Sequence, residues 1–274
     1  MVSVVNIDPG KTSPWGNVVS PGALAQNHQH IFAVRIDPAV DGHDNTVITE
    51  ESLPIPMNPE TNPWGNGYEV VRKAVTKSTS IHASPFTNLQ VKIANTNKLN
   101  PISQRPVAYK FTPAPTQMIL ADPQSVVAKR AAFARHHVWV TKYRDEELFA
   151  AGEFTNQSKQ EIGGVADAVG RNEDVENTDV VVWNCFGLTH NPRVEDWPVM
   201  PVEIHQLHLR PADFFDKNPA LDVPGQKNVS SVEVGRNGSA ECCHADGANG
   251  SVQADPTSHL QGTETVRVEQ LNGH

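Results

Sequence analysis

Proline and glycine set the first limit on this chain. Its 274 residues carry 21 prolines and 18 glycines spread over the whole length, and each breaks regular backbone pairing: Pro lacks the amide donor, and Gly supplies turn geometry. Few intervals between breakers are long enough for a helix, so most periodic segments read as strands. The expected fold is mainly β, a large antiparallel β-sandwich with one short helix. Candidate strands cover 31–36, 46–51, 68–79, 89–94, 107–112, 137–143, 179–188 and 203–210. The helix is expected over 124–135, where Val127, Ala131 and Ala134 recur at helical spacing among good helix formers. A further helical turn is expected over 145–150, and 155–177 reads as a polar surface connection.

Residues 1–224 read as one β-sandwich domain. From 225 to 274 the sequence turns poor in large apolar residues and rich in Gly, Ser, Asn and acids, the composition of a disordered tail. No run of about 18 apolar residues is present, and the start lacks the basic and apolar blocks of a signal peptide. The expectation is therefore an intracellular protein, with cytoplasm and peroxisome not distinguished. A net charge of −9, with basic residues scattered, leaves no electrostatic footprint for nucleic acid or a membrane surface. Three cysteines make no disulfide framework: Cys185 reads as a buried small hydrophobe, and Cys242 and Cys243 fall in the polar tail.

The chemistry resides in the histidines. His28 and His30 stand two apart just before Ile31 and Phe32, and in extended chain that spacing puts both rings on one face. A third imidazole from a distant strand would complete a three-nitrogen site suited to copper, zinc or iron. His190, at the end of the apolar run 180–188, is the candidate. His205 and His208 lie three apart and point to opposite faces of a strand, as do the adjacent His136 and His137. No Gly-x-Ser-x-Gly, phosphate loop or cysteine nucleophile motif is present. Glu195 and Asp196 are the acids nearest His190 in sequence.

Several long motifs occur in order: Asn27–Phe32 as NHQHIF followed by Arg35-Ile36-Asp37, then 133–143 as FARHHVWVTKY, 179–183 as DVVVW, 186–201 as FGLTHNPRVEDWPVMP, and 218–224 as NPALDVP. Together they resemble the copper-containing primary amine oxidases, especially fungal ones. The resemblance implies an amine oxidase super-sandwich, a homodimer, and copper held by His28, His30 and His190, with Met200 packed beside the ligands. It further implies a peripheral divalent-cation site, usually taken as calcium, using Asp37, Asp179 and the Pro38 and Val180 carbonyls. Ala39 stands where many members have a further aspartate, which should weaken that site.

Family members oxidise one of their own tyrosines, in an Asn-Tyr-Asp/Glu-Tyr motif, to topaquinone. They then convert a primary amine and oxygen into aldehyde, ammonia and hydrogen peroxide. Here Tyr68, Tyr109 and Tyr143 all stand outside that motif, and the family's aspartate base lies upstream of the His-x-His. The expectation is thus the C-terminal part of an amine oxidase catalytic domain, with no catalytic or quinone-forming residue in this chain and no activity alone. Two other readings stand beside it: a non-catalytic copper-binding or dimer-forming protein, and a zinc-type metallohydrolase using Asp196 or Glu195 as base.

Overall fold

The computed structural model describes residues 3–222 together with the short strands Glu233–Val234 and Ala240–Glu241. In chain order the strands of the first unit are β1 (Val4–Asn6), β2 (Gly16–Ser20), β3 (Ala23–Gln26), β4 (His28–Ile36), β5 (Thr46–Pro54) and β6 (Tyr68–Val75). They continue with β7 (Thr79–Ile81), β8 (Gln90–Leu99), β9 (Pro106–Phe111), β10 (Val138–Lys142), β11 (Val180–His190) and β12 (Arg210–Ala212). All pairings are antiparallel. They build a three-stranded sheet β1-β3-β2, a four-stranded sheet β4-β11-β10-β7 and a five-stranded sheet β12-β9-β8-β5-β6. The unit 222–274, taken by itself, contains the antiparallel pair of Glu233–Val234 with Ala240–Glu241.

Side-chain alternation on β11 explains the layering. Val180 and Val182 join Val138 and Val140 of β10 against Val47, Val91, Ile93, Val107 and Phe111 of the five-stranded sheet, forming the sandwich core. Val181, Trp183 and Cys185 face the other way and pack with Trp139, Val165, Phe133 and Val169. A strand covered on both faces must be apolar at every step, which is why 180–183 has no polar alternation. Each buried valine here contributes about 1.5–3 kcal/mol relative to exposure.

The cover on that second face is helical. α1 (Val126–Arg130) starts at Ser125, whose Oγ accepts from the Ala128 amide at 3.1 Å, and Lys129 and Arg130 end it. The expected single helix over 124–135 is instead two pieces, because the chain leaves helical geometry at Ala131 and resumes as a 3₁₀ turn, Ala132–Arg135. That break brings Phe133 to the sheet. α2 (Val165–Gly170) lies within the segment read as a surface connection, so more than one short helix is present, and Val165 and Ala168 are buried. At six residues it is too short to show a helical period by itself, and the packed face of the sheet stabilises it. Residues 145–150 form turns rather than a helix, and 201–209 have no regular structure, so the expected strand 203–210 is replaced by the three residues of β12. The segment expected as one strand over 68–79 is divided between β6 and β7, which join different sheets. Cys185 is buried as expected, and burial pushes its thiol up to about 12. Cys242, Cys243 and the expected disordered tail lie outside the described residues.

An irregular strap, 113–121, crosses the second face of the four-stranded sheet. Its contact point is Gly187, where a Cβ would meet the Gln117 carbonyl oxygen at 2.5 Å. The Gly187 amide donates to Thr116 Oγ1 at 2.8 Å. Gln29, between His28 and His30, points to this same face: its Nε2 donates to the Met118 carbonyl and to Thr189 Oγ1, and its Oε1 accepts from the Leu120 amide at 2.8 Å.

Candidate metal centre

β4 and β11 pair so that His28 stands directly opposite His190, and His30 opposite Leu188. Strand alternation then places all three histidines on one face. The ring of His28 lies 5.0 Å from that of His30 and 5.0 Å from that of His190, both contacts edge-on. Two strands distant in sequence, His28–Ile36 and Val180–His190, thus bring together the three residues singled out from the sequence.

Hydrogen bonds fix what each ring offers. His28 Nδ1 lies 2.8 Å from the Gln26 carbonyl, so it carries the proton and donates. His28 Nε2 is then a bare lone pair, buried without a partner. His190 has the opposite arrangement: Nε2–H donates to Asp196 Oδ2 at 2.9 Å, and Nδ1 is buried without a partner. Asp196 is itself held by the Arg193 guanidinium at 2.8 Å and the Arg193 amide at 2.9 Å. Arg193 first, and His190 after it, keep the Asp196 carboxyl well below the usual carboxylate range. Burial, and then the neighbouring His28 ring, pulls the pKa of His30 below the ordinary histidine value, which favours neutral imidazole, the ligating form.

This is the chemistry of a metal-binding donor set: lone pairs withheld from other partners, with the opposite ring nitrogens oriented by a carbonyl and a carboxylate. Among the described residues, no three His, Cys, Asp or Glu side chains stand already converged as a coordination group. Met200 is half-buried in the irregular segment after the 3₁₀ turn Val194–Asp196. Beside His28 opens a cavity of about 700 Å³ with Ile31, Leu120, Val127 and Phe133 in its walls.

A comparison with known families decides the assignment. Residues 1–230 match the model described as copper amine oxidase, enzyme domain. The chain belongs to the copper amine oxidase family. It is 61% identical over 243 residues to copper amine oxidase 1 of Aspergillus niger, covering 89% of this chain and 36% of that one. Peroxisomal primary amine oxidase of Pichia angusta is 37% identical over 235 residues, covering 84% of this chain and 34% of that one. Among solved structures, a copper-containing benzylamine oxidase from Hansenula polymorpha superposes with a TM-score of 0.78 at 50% identity, covering 82% of this chain and 35% of that chain. The chain therefore spans about a third of the length of the curated relatives it matches, and its antiparallel sheets match the family's β-sandwich fold. Among the described residues, no helix is long and apolar enough to cross a membrane.

The remaining residues named from the sequence fall elsewhere. Asp37 pairs with Arg35 at 2.8 Å, and Asp179 lies 3.7 Å from His43. Asp179 Oδ1 is buried without a partner, and burial raises its pKa, opposed by His43 and reinforced by Asp37. Tyr68 is exposed on β6, Tyr109 packs 5.5 Å from the Phe214 ring, and Tyr143 sits 5.5 Å from the Arg35 guanidinium carbon. His205 packs against Phe186, and His208 Nε2 meets Gln206 Oε1 at 3.2 Å. His136 and His137, expected to diverge, both approach His82, with ring centroids 4.5 and 5.7 Å away. The sequence reading missed that gathering, since His82 had no partner in view until the pairing of β7 with β10 brought it there. Asp196, read from the sequence as a structural residue in preference to a hydrolytic acid, clamps His190 six residues away through a Pro-containing turn.

Proposed function

We propose that this chain supplies the copper-binding part of a primary amine oxidase, a protein that deaminates primary amines oxidatively to aldehyde, ammonia and hydrogen peroxide. The observation that carries the reading is the pair of buried, unpartnered ring nitrogens, His28 Nε2 and His190 Nδ1, in a family member. With His30 they form a three-imidazole donor set, which suits copper and leaves positions open for water or oxygen. Bound copper would supply one-electron chemistry with oxygen. The residues of this chain hold and aim the donors: Gln26 fixes the His28 tautomer, and Asp196, clamped by Arg193, fixes that of His190. Met200 is assigned a packing role beside the ligands.

Topaquinone does not fit the tyrosines present. All three stand outside the precursor motif, and each makes contacts of its own or faces solvent, apart from His28, His30 and His190. No step through a quinone is assigned to this chain, and by itself it is expected to release no peroxide from amines. Asp37 and Asp179, with the Pro38 and Val180 carbonyls, are proposed as a weak calcium site; the unpartnered Asp179 oxygen supports it and the Arg35 pairing of Asp37 opposes it. Homodimerisation and an intracellular setting, cytoplasmic or peroxisomal, complete the proposal; the peroxisomal name of the Pichia relative supports the latter.

The commitment of Asp196 to His190 and Arg193 disfavours it as the base of a zinc hydrolase, while Glu195, the other candidate, is exposed in the same turn. Equilibrium dialysis with copper tests the donor set: His190→Ala should lose one tightly bound ion per chain. An unchanged count and affinity would remove this triad as the copper site. Amine-dependent peroxide release by the unaltered chain would overturn the assignment of no activity alone.

A further inference from the structure

We propose that His82, His136 and His137 form a second site for a divalent transition-metal ion, Cu(II) in preference to Zn(II), on the opposite face of the four-stranded sheet from His28 and His190. The topology creates it. β10 pairs with β7 with Val138 opposite Ile81, so one step further His137 stands opposite His82. The Cys185 amide donates to the His137 carbonyl at 2.7 Å, which aligns His137 with the Cys185 face of β11, the face crossed by the strap. His136 turns to the same side, its ring 4.8 Å from that of Trp139, edge-on.

Two observations point to a ligand rather than to packing. His136 Nδ1 and His82 Nε2 lie 3.0 Å apart. Two nitrogens at that separation, each about 2.0–2.1 Å from one ion, subtend about 90–100° at it, the cis angle of a tetragonal copper site. Binding requires that the proton they share move to the far nitrogen of its own ring and that the side chains turn to bring His137 Nδ1 to the same point, since the three rings do not stand already converged. The second observation concerns His137, which is 8% exposed. Its Nε2–H donates to the Thr116 carbonyl at 2.9 Å, leaving Nδ1 as a buried lone pair without a partner. A carbonyl on one ring nitrogen and a bare lone pair on the other is the arrangement of an oriented metal ligand. His82 is exposed and gives the ion an entry path. Arg135, adjacent in sequence and positive, opposes binding and favours the more strongly coordinated Cu(II).

The second site stands independently of the His28–His30–His190 reading, so its test is run in a His190→Ala background as well as in the parent. Cu(II) alone is titrated into the full chain and followed by calorimetry and electron paramagnetic resonance. Comparison by difference removes any contribution from histidines and cysteines elsewhere. Adding His82→Ala or His136→Ala should remove one equivalent or weaken it at least tenfold, with loss of a nitrogen-ligated Cu(II) signal. Zn(II) should bind the same site more weakly. Cu(II) should also quench part of the tryptophan fluorescence, and Trp139→Phe should reduce that part. His82 is exposed, so its replacement leaves the fold intact, which a thermal melt verifies. Identical stoichiometry, affinity and spectra with and without His82→Ala and His136→Ala would overturn the proposal and leave the three rings as a hydrogen-bonded surface cluster.

Discussion

The two histidine clusters occupy opposite faces of the same sheet and differ in how their ring nitrogens are satisfied. On the sandwich side, His28 and His190 are each tied down at one nitrogen by a group that can only accept, a carbonyl or a carboxylate, and each keeps a lone pair free. On the strap side, His82 and His136 satisfy each other, and only His137 keeps a buried lone pair behind a carbonyl contact. The difference teaches that the partner of the far nitrogen, more than the number of histidines nearby, determines what a cluster can bind. It also ranks the two: the first has two aimed donors, the second has one aimed donor and a pair whose hydrogen bond must be given up.

The strap is the device that the second cluster leans on, so the largest effect is expected from disturbing it. Gly187→Ala places a methyl against the Gln117 carbonyl and should destabilise the fold by about 1–3 kcal/mol, measured by chemical denaturation. A neutral outcome would mean that the strap yields freely and does not position His137. Next comes the clamp. Asp196→Asn keeps the shape but weakens the hold on His190, and copper affinity at the first cluster should fall by roughly 10–100-fold in a chelator competition, with the second cluster unaffected. Equal losses at both would erase the distinction drawn between them.

Glu161 sharpens the same rule with a carboxylate. Its Oε1 accepts from the Ala166 amide at 2.8 Å at the start of α2, while Oε2 is buried without a partner. Glu161→Ala should cost about 1 kcal/mol, the scale of a lost helix cap, seen as a lower melting temperature. The smallest effect is on pH dependence. Burial raises the Glu161 pKa, with Asp167 adding to the rise against the opposing backbone hydrogen bonds. The folded state therefore holds this proton more tightly than the unfolded chain. Its contribution to stability is fully present below the ordinary glutamate value and is lost as pH rises through the raised folded one. Glu161→Gln should flatten that decline; parallel pH profiles for the two proteins would show that Glu161 titrates normally.

Much of this was legible in the sequence because it rests on period two. His28 and His30 share a face for that reason alone, and the unbroken apolar run before His190 announces a strand buried on both sides. What was hidden depends on distant partners. The sheet β1-β3-β2 is made of strands of three to five residues interrupted by Gly and Pro, too short to show alternation. α2 forms where a hydrophobic face awaits it, not where its own residues insist on helix. His205 and His208 sit in the segment expected as a strand over 203–210, yet Ile204 and Leu209 there are exposed, so no sheet received them. The second histidine cluster required the register of β7 on β10, which no local pattern encodes.

Gln29 gives the His-x-His word of this sequence a different grammar. A pattern search treats its middle letter as a blank, a spacer that lets two ligands share a side. Here that letter faces the other way and grips the strap through both ends of its amide. Three consecutive letters thus carry two messages read from opposite sides of one strand: where the donors stand, and which loop lies behind them. Rewriting the blank would leave both histidines in the text and change what holds them in place.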